Sequence, residues 1–276
     1  RPTPNWKSRP SCARRSRRRS PAASDEIVRK TPLPAAFFFW QHPAIKLYFA
    51  GAGAQARLSA GRRVCTSIMR VQLQTTLRKA AAAGGLALHS GVETRIVLKP
   101  ASAGVGILFR RTDLAATRGR AAALTANSIV AGPLSIVDAR LGVRLANADG
   151  VSVMTVEHLL AAFALCGVDN ALVEVFGAEL PIFDGSATPF VDLIVQAGVA
   201  PLSAPREAID IRAPVRVDDG DRFVEVRPDP GRIIDIAIDF EDSAIGRQTE
   251  SFSLDDAEGL LARLAAARTF CTLKDL

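Results

Sequence analysis

The sequence is poor in the residues that staple small scaffolds or ligate metals in number. Cysteine occurs four times, at Cys12, Cys65, Cys166 and Cys271. These positions are far apart and include no Cys-x-x-Cys pair, so neither a zinc ribbon nor a disulfide framework is suggested. A reducing cytoplasm is the simplest compartment. Histidine is scarcer: His42, His89 and His158 are the three in the chain, and no His-x-x-x-Asp spacing occurs. Long apolar runs are also lacking. The most apolar N-terminal stretch, Ala35 to Ala54, is interrupted by Gln41, His42, Pro43 and Lys46, which speaks against a membrane-spanning helix.

What is present is enough apolar material for a core, 48% of 276 residues, in one large or two ordinary domains. The net charge of +7 is unevenly spread. Residues 1–68 hold 14 Lys/Arg against 2 Asp/Glu, whereas residues 69–276 hold 21 against 26. The patterned part is therefore mildly acidic, and no nucleic-acid partner is expected for residues 69–276.

Residues 1–68 differ from the rest. Arg14, Arg15, Arg17, Arg18 and Arg19 sit among Ser and Pro, and Phe37 to Trp40 follows without periodicity. A basic nucleic-acid arm, a targeting peptide, or upstream sequence read in frame would each look like this. The last is favoured, because the chain begins with Arg1 and Met69 is followed at once by patterned sequence. Residues 1–68 are accordingly expected to be disordered or a non-native extension.

From Met69 short alternating runs read as strands: 71–77, Thr94–Pro100, Gly106–Arg110, 128–130, 134–138 and 143–146, with Gly84-Gly85 as punctuation. Thr155-Val156-Glu157-His158-Leu159-Leu160 opens an Ala-rich run to Gly167, expected to be a helix capped by Thr155. A strand over 170–176 and an amphipathic helix over 189–197 follow. Leu202 to Arg206 has linker character. Beyond it strands are expected over 209–217, 223–227, 233–240 and 248–252, then a helix capped by Asp255. The order predicts an α+β fold of two similar two-layer α/β sandwich domains, 69–202 and 203–276, the second incomplete.

Glu157-His158 is the chemical centre of this pattern, since an imidazole can ligate a metal and an adjacent carboxylate can take a proton from water. Taken alone, such a pair at a helix start reads as a cap with side chains turned to solvent. Its company changes that. Leu86 to Gly91, Phe109 to Leu114, Thr155 to Leu159, Pro181 to Phe190 and Ala267 to Phe270 stand in the order and approximate spacing of the UDP-3-O-acyl-N-acetylglucosamine deacetylases. The chain from Met69 to Leu276 resembles that zinc amidase family of lipid A biosynthesis.

The resemblance implies zinc-dependent hydrolysis of the N-acetyl group of UDP-3-O-(3-hydroxyacyl)-N-acetylglucosamine, a UDP-sugar lipid, by a cytoplasmic, monomeric enzyme. It implies that His158 is a zinc ligand, that Glu157 activates the attacking water, and that the Thr269 hydroxyl meets the developing oxyanion. Phe270, Phe240, Asp239 and Arg222 match sugar- and uridine-contacting positions, and His89 and Asp184 match supporting positions near the site. The family's other two zinc ligands lie in a His-x-x-x-Asp segment, followed by a general-acid histidine, and none of these is in this sequence. The chain is therefore expected to be C-terminally truncated, to bind zinc poorly and to be inactive as it stands. The competing reading is a non-catalytic α+β binding module with a basic nucleic-acid-contacting arm, which the acidic balance of 69–276 disfavours.

Overall fold

The computed structural model describes residues 45–50, 72–114, 126–241 and 245–270, all within one contact unit, Pro32–Leu276. Of the expected extension over 1–68, residues 1–44 and 51–68 lie outside the described residues, while Ile45–Ala50 is a strand, β1. In chain order there follow β2 (Leu73–Leu77), β3 (Ala81–Leu86), β4 (Glu93–Pro100), β5 (Ile107–Arg111), β6 (Ser128–Val130), β7 (Ile136–Asp138), β8 (Arg144–Ala146) and β9 (Ser152–Met154). Then come α1 (Glu157–Leu165), β10 (Ala171–Val175), α2 (Thr188–Ala197), β11 (Val199–Pro205), β12 (Val215–Asp219), β13 (Arg222–Asp229), β14 (Ile233–Asp239) and β15 (Arg247–Ser253). A short helical turn, Ala257–Gly259, continues as a π turn over Leu260–Leu264. Sheets with few helices make this an α+β fold.

The first large sheet has the order β3-β4-β10-β5-β6. Its alternating sequence places Ile96 and Leu98 of β4, and Val173 and Val175 of β10, on one buried face. On that face lie α1, with Leu159, Leu160 and Phe163, and α2, with Phe190 and Ile194, all in one core cluster. Burying each such side chain is worth about 1.5–3 kcal/mol. The catalytic candidates at the start of α1 thus stand on the larger of the two apolar clusters among the described residues.

Four local readings change. Gly84 and Gly85 do not interrupt a strand but belong to β3. A side chain on Gly85 would meet Pro181 Cβ at 3.2 Å and the Phe183 ring at 3.3 Å, so glycine is there for close approach. Leu202 to Pro205 is not a linker but part of β11, which pairs antiparallel with β2 through backbone hydrogen bonds that a two-stranded ribbon can keep around Pro201 and Pro205. The expected division at 202/203 falls inside that strand. The strand expected over 209–217 forms only from Val215, where it closes a hairpin with β13 around Gly220, whose φ is +64°. Asp255 is ion-paired with Arg232, and it is the Asp256 carboxylate that accepts the Gly259 N–H, at 3.0 Å, at the start of the last helical turn.

The second large sheet has the order β12-β13-β1-β14-β15, with a small cluster around Ile234, Val224, Val226 and Ile236. Both sheets insert a strand between two that are near in sequence. In the first, β10 runs antiparallel to β4 and parallel to β5. In the second, β1 runs parallel to β13 and antiparallel to β14.

Candidate active site

The site begins at Thr155, which does not cap α1: the N-cap is Val156, with no side-chain cap bond. Thr155 instead adopts φ +59° and is 1% exposed. A β-branched residue in that region costs of order 1–3 kcal/mol and persists only where its surroundings hold it. They do so here through its hydroxyl, which donates to Glu179 Oε1 at 3.0 Å. The reversal aims the first turn of α1 toward the loop before β8, where the Val143 N–H donates to Glu157 Oε2 at 3.0 Å.

Glu157 meets His89 at Gly142. A methyl group placed on Gly142 would lie 3.4 Å from His89 Nε2, 3.5 Å from Glu157 Oε1 and 3.6 Å from Met154 Cε. Glycine leaves this space open between an imidazole and a carboxylate. His89 is exposed in a turn closed by Ala87 N–H to Val92 O at 2.9 Å, with Gly91 at φ +63°.

Electrostatics separate the two candidates on α1. Burial pushes the Glu157 carboxyl up, with the Val143 N–H and the His89 charge acting against it and the Glu179 charge adding to it. Burial pushes the His158 imidazole down, opposed by the negative charge of Asp184. A neutral imidazole beside a basic carboxylate is the state a ligand and a proton acceptor need.

The Asp184 turn carries the other wall. Asp184 Oδ1 accepts the Ser186 N–H at 3.1 Å and its hydroxyl at 2.8 Å, and Oδ2 accepts from Arg268 at 3.3 Å. The Ser186 hydrogen bonds, reinforced by Arg268, hold the Asp184 carboxyl below its usual range. The segment after the π turn docks on this turn: Ala187 N–H donates to Ala265 O at 3.0 Å and Thr269 N–H to Gly185 O at 2.9 Å. Thr269 is thereby tied to the turn whose aspartate faces His158. Phe270 packs edge-on against Phe240, centroids 5.4 Å apart. Arg222 lies at the β12–β13 hairpin and ion-pairs with Asp221, and exposed Asp239 ends β14 opposite Arg247. None of the described contacts joins those two to the Glu157 cluster.

Zinc does not fit the described residues. A catalytic zinc takes about three protein ligands, and among the described residues no group of three or more His, Cys, Asp or Glu is placed to hold a metal. His158 is one nitrogen donor. The Cys166 thiol, pushed up to about 11 by burial, stays protonated at neutral pH.

Sequence reasoning missed Glu179 and Gly142. Glu179 lies two residues before the Pro181–Phe190 motif, and a lone acid beside a β-run was the only signal. Gly142 shows its role only when Met154, Glu157 and His89 converge on it.

Glu157 also predicts a pH-dependent stability. Its folded-state carboxyl binds a proton more readily than the unfolded value of about 4.3, so the folded state loses stability as pH rises through the folded-state pKa. Glu157→Gln keeps an acceptor for Val143 and removes the half-buried charge. Thermal melts are expected to show a higher midpoint than the parent at pH 8, with the gain vanishing toward pH 4. A gain independent of pH would contradict this origin.

Residues 74–276 match the family model for UDP-3-O-acyl N-acetylglycosamine deacetylase. The chain is 40% identical over 204 residues to the UDP-3-O-acyl-N-acetylglucosamine deacetylase of Pseudoalteromonas atlantica, covering 74% of this chain and 64% of that protein. It is 40% identical over 207 residues to that of Vibrio cholerae and 42% identical over 207 residues to that of Idiomarina loihiensis, with the same two coverages. The chain thus spans about 64% of the length of these curated relatives. The match runs through the Thr155 reversal, the Glu157-His158 turn and the Asp184 turn, and leaves the binding-module reading without support: the chain belongs to the UDP-3-O-acyl N-acetylglycosamine deacetylase family.

Proposed function

We propose that this chain carries the base-bearing part of an amidase that removes the N-acetyl group of UDP-3-O-(3-hydroxyacyl)-N-acetylglucosamine in lipid A biosynthesis. The observation that carries the reading is Glu157: a half-buried carboxyl with raised basicity, facing the open space at Gly142, on the same helical turn as neutral His158. In the reaction, water oxygen bonds to the acetamide carbon and its proton goes to the Glu157 carboxylate. The C–N bond then breaks, the proton held by the Glu157 carboxyl passes to the leaving nitrogen, and the acetyl group leaves as acetic acid. The Thr269 hydroxyl is proposed to meet the developing oxyanion, a contribution of about 3 kcal/mol per donor. Phe270 and Phe240 are proposed to offer an aromatic face to the sugar or uridine, and Arg222 and Asp239 polar contacts to the same substrate. Asp184 and His89 support the site by charge and position.

The same reading makes the enzyme a cytoplasmic monomer with zinc as its cofactor. Of the zinc ligands this chain offers His158, and the rest would come from residues it does not contain. Among the described residues no helix is long and apolar enough to cross a membrane.

Acetate release from the acetylated substrate tests the reading directly. The 276-residue chain is expected to give no measurable turnover, and the same chain extended at its C-terminus to the length of its relatives a chelator-sensitive rate. No rate in the extended protein would refute the reading, and a robust rate in the 276-residue chain would show that the essential groups were misjudged.

A further inference from the structure

We infer that Glu179 is a positioning residue whose buried carboxylate sets Glu157 and His89 against each other. Glu179 touches neither group's reactive atoms. It lies in an extended segment fastened on both sides: Met154 N–H donates to Ala178 O and Leu180 N–H to Met154 O, each at 3.0 Å, while Ile182 N–H donates to Leu86 O at 3.0 Å. The segment therefore runs between the strand that leads into α1 and the strand that leads into the His89 turn.

From that position the carboxylate accepts four hydrogen bonds. Oε1 accepts the His89 N–H at 2.9 Å and the Thr155 hydroxyl at 3.0 Å, and Oε2 accepts the Ser90 N–H at 3.1 Å and the Ser90 hydroxyl at 3.0 Å. Three come from the His89 turn and one from the residue whose left-handed backbone aims α1. Glu179 is 6% exposed, so water does not substitute for these partners at low cost. All four partners act as donors toward it. Only an ionised carboxylate offers two acceptor oxygens and no donor, whereas an amide would turn its NH2 against one pair. Burial pushes the Glu179 carboxyl up, yet the hydrogen bonds from His89, Ser90 and Thr155 outweigh that and hold it below its usual range.

The bearing on catalysis rests on the reading of Glu157 as the base, but the test needs no turnover. The 276-residue chain contains two methionines, so methyl-labelled methionine gives a two-line spectrum in which Met154, beside Gly142, reports on its neighbours. In the parent chain the Met154 methyl is expected to show an NOE to the His89 ring, and the His89 and Ser90 amides to exchange slowly. Glu179→Gln, of the same shape, is expected to speed exchange of those two amides at least tenfold and to weaken the NOE by more than half. Ser90→Ala, which removes one of the four bonds, is expected to leave the NOE intact. Glu179→Gln with amide protection and NOE both unchanged would overturn the inference. Should Glu179→Gln fail to fold, Thr155→Val takes its place. It removes only the helix-side bond, so the amides stay protected while the NOE weakens, and an unchanged NOE there would equally overturn it. A chain lacking deacetylase activity after C-terminal extension would refute the proposed reaction and leave these readouts standing.

Discussion

Replacing Glu157 by alanine in the C-terminally extended protein should lower kcat by about 10²–10⁴-fold, the usual contribution of a positioned general base, with KM changed little. The magnitude follows from what else could do the work. Asp184 is held as a weaker base than an ordinary aspartate by Ser186 and Arg268, and Glu179 by its four donors. Glu157 alone among these three carboxyls is pushed toward higher basicity, so neither of the other two matches it as a proton acceptor. The variant should also be no less thermally stable than its parent at pH 8, because the charge it removes is the one burial penalises. Loss of rate without loss of fold separates a base from a packing residue. Steady-state kinetics beside thermal melts check both halves, and full activity in Glu157→Ala would mean that the proton goes elsewhere.

The second large effect is on stability. Phe163 is fully buried on α1 in the main core, and its carbonyl accepts the Val168 N–H at 2.8 Å where the helix ends. Phe163→Ala should cost about 3–5 kcal/mol through lost burial and the cavity left behind, or a thermal midpoint lower by roughly 10 °C for a protein of this size. Phe176 is the control. It is 41% exposed beneath the Arg95 guanidinium, and its replacement by alanine should cost no more than about 1 kcal/mol. Denaturant unfolding of both variants gives the comparison, and near-equal losses would mean that α1 does not pack on the first sheet as described.

What could be read from the sequence was whatever depends on local periodicity. β4 and β10 alternate because one face is buried, and the Glu157–Leu165 helix declares itself by its apolar run. What could not be read depends on contacts between distant segments. Thr155 looks like a helix cap because its residue type and spacing suit one, and only Glu179, 24 residues away, draws its hydroxyl elsewhere. Gly84-Gly85 looks like a break, since the Pro181 and Phe183 atoms that demand small residues are far along the chain. Leu202 to Arg206 looks like a linker because the β2 strand that pairs with β11 lies more than a hundred residues upstream. The same holds at the site: the order of motifs points to Glu157, His158 and Thr269, whereas the Gly142 opening exists only once His89, Met154 and Glu157 converge on it.

The strand inserted in the second sheet also governs the time course of folding. The β12–β13 and β14–β15 pairs each form between neighbours in sequence, but the middle of the sheet needs Ile45 to reach Val224 and Ile236. Loop closure over that span costs more entropy than closing a hairpin, and such non-local pairing slows folding. Until β1 arrives, β13 and β14 each present an unpaired edge with free backbone donors and acceptors, the kind of surface on which partly folded chains join one another. Refolding yield of this protein should therefore be set less by its well-packed first sheet than by the lifetime of that unzipped intermediate in the second.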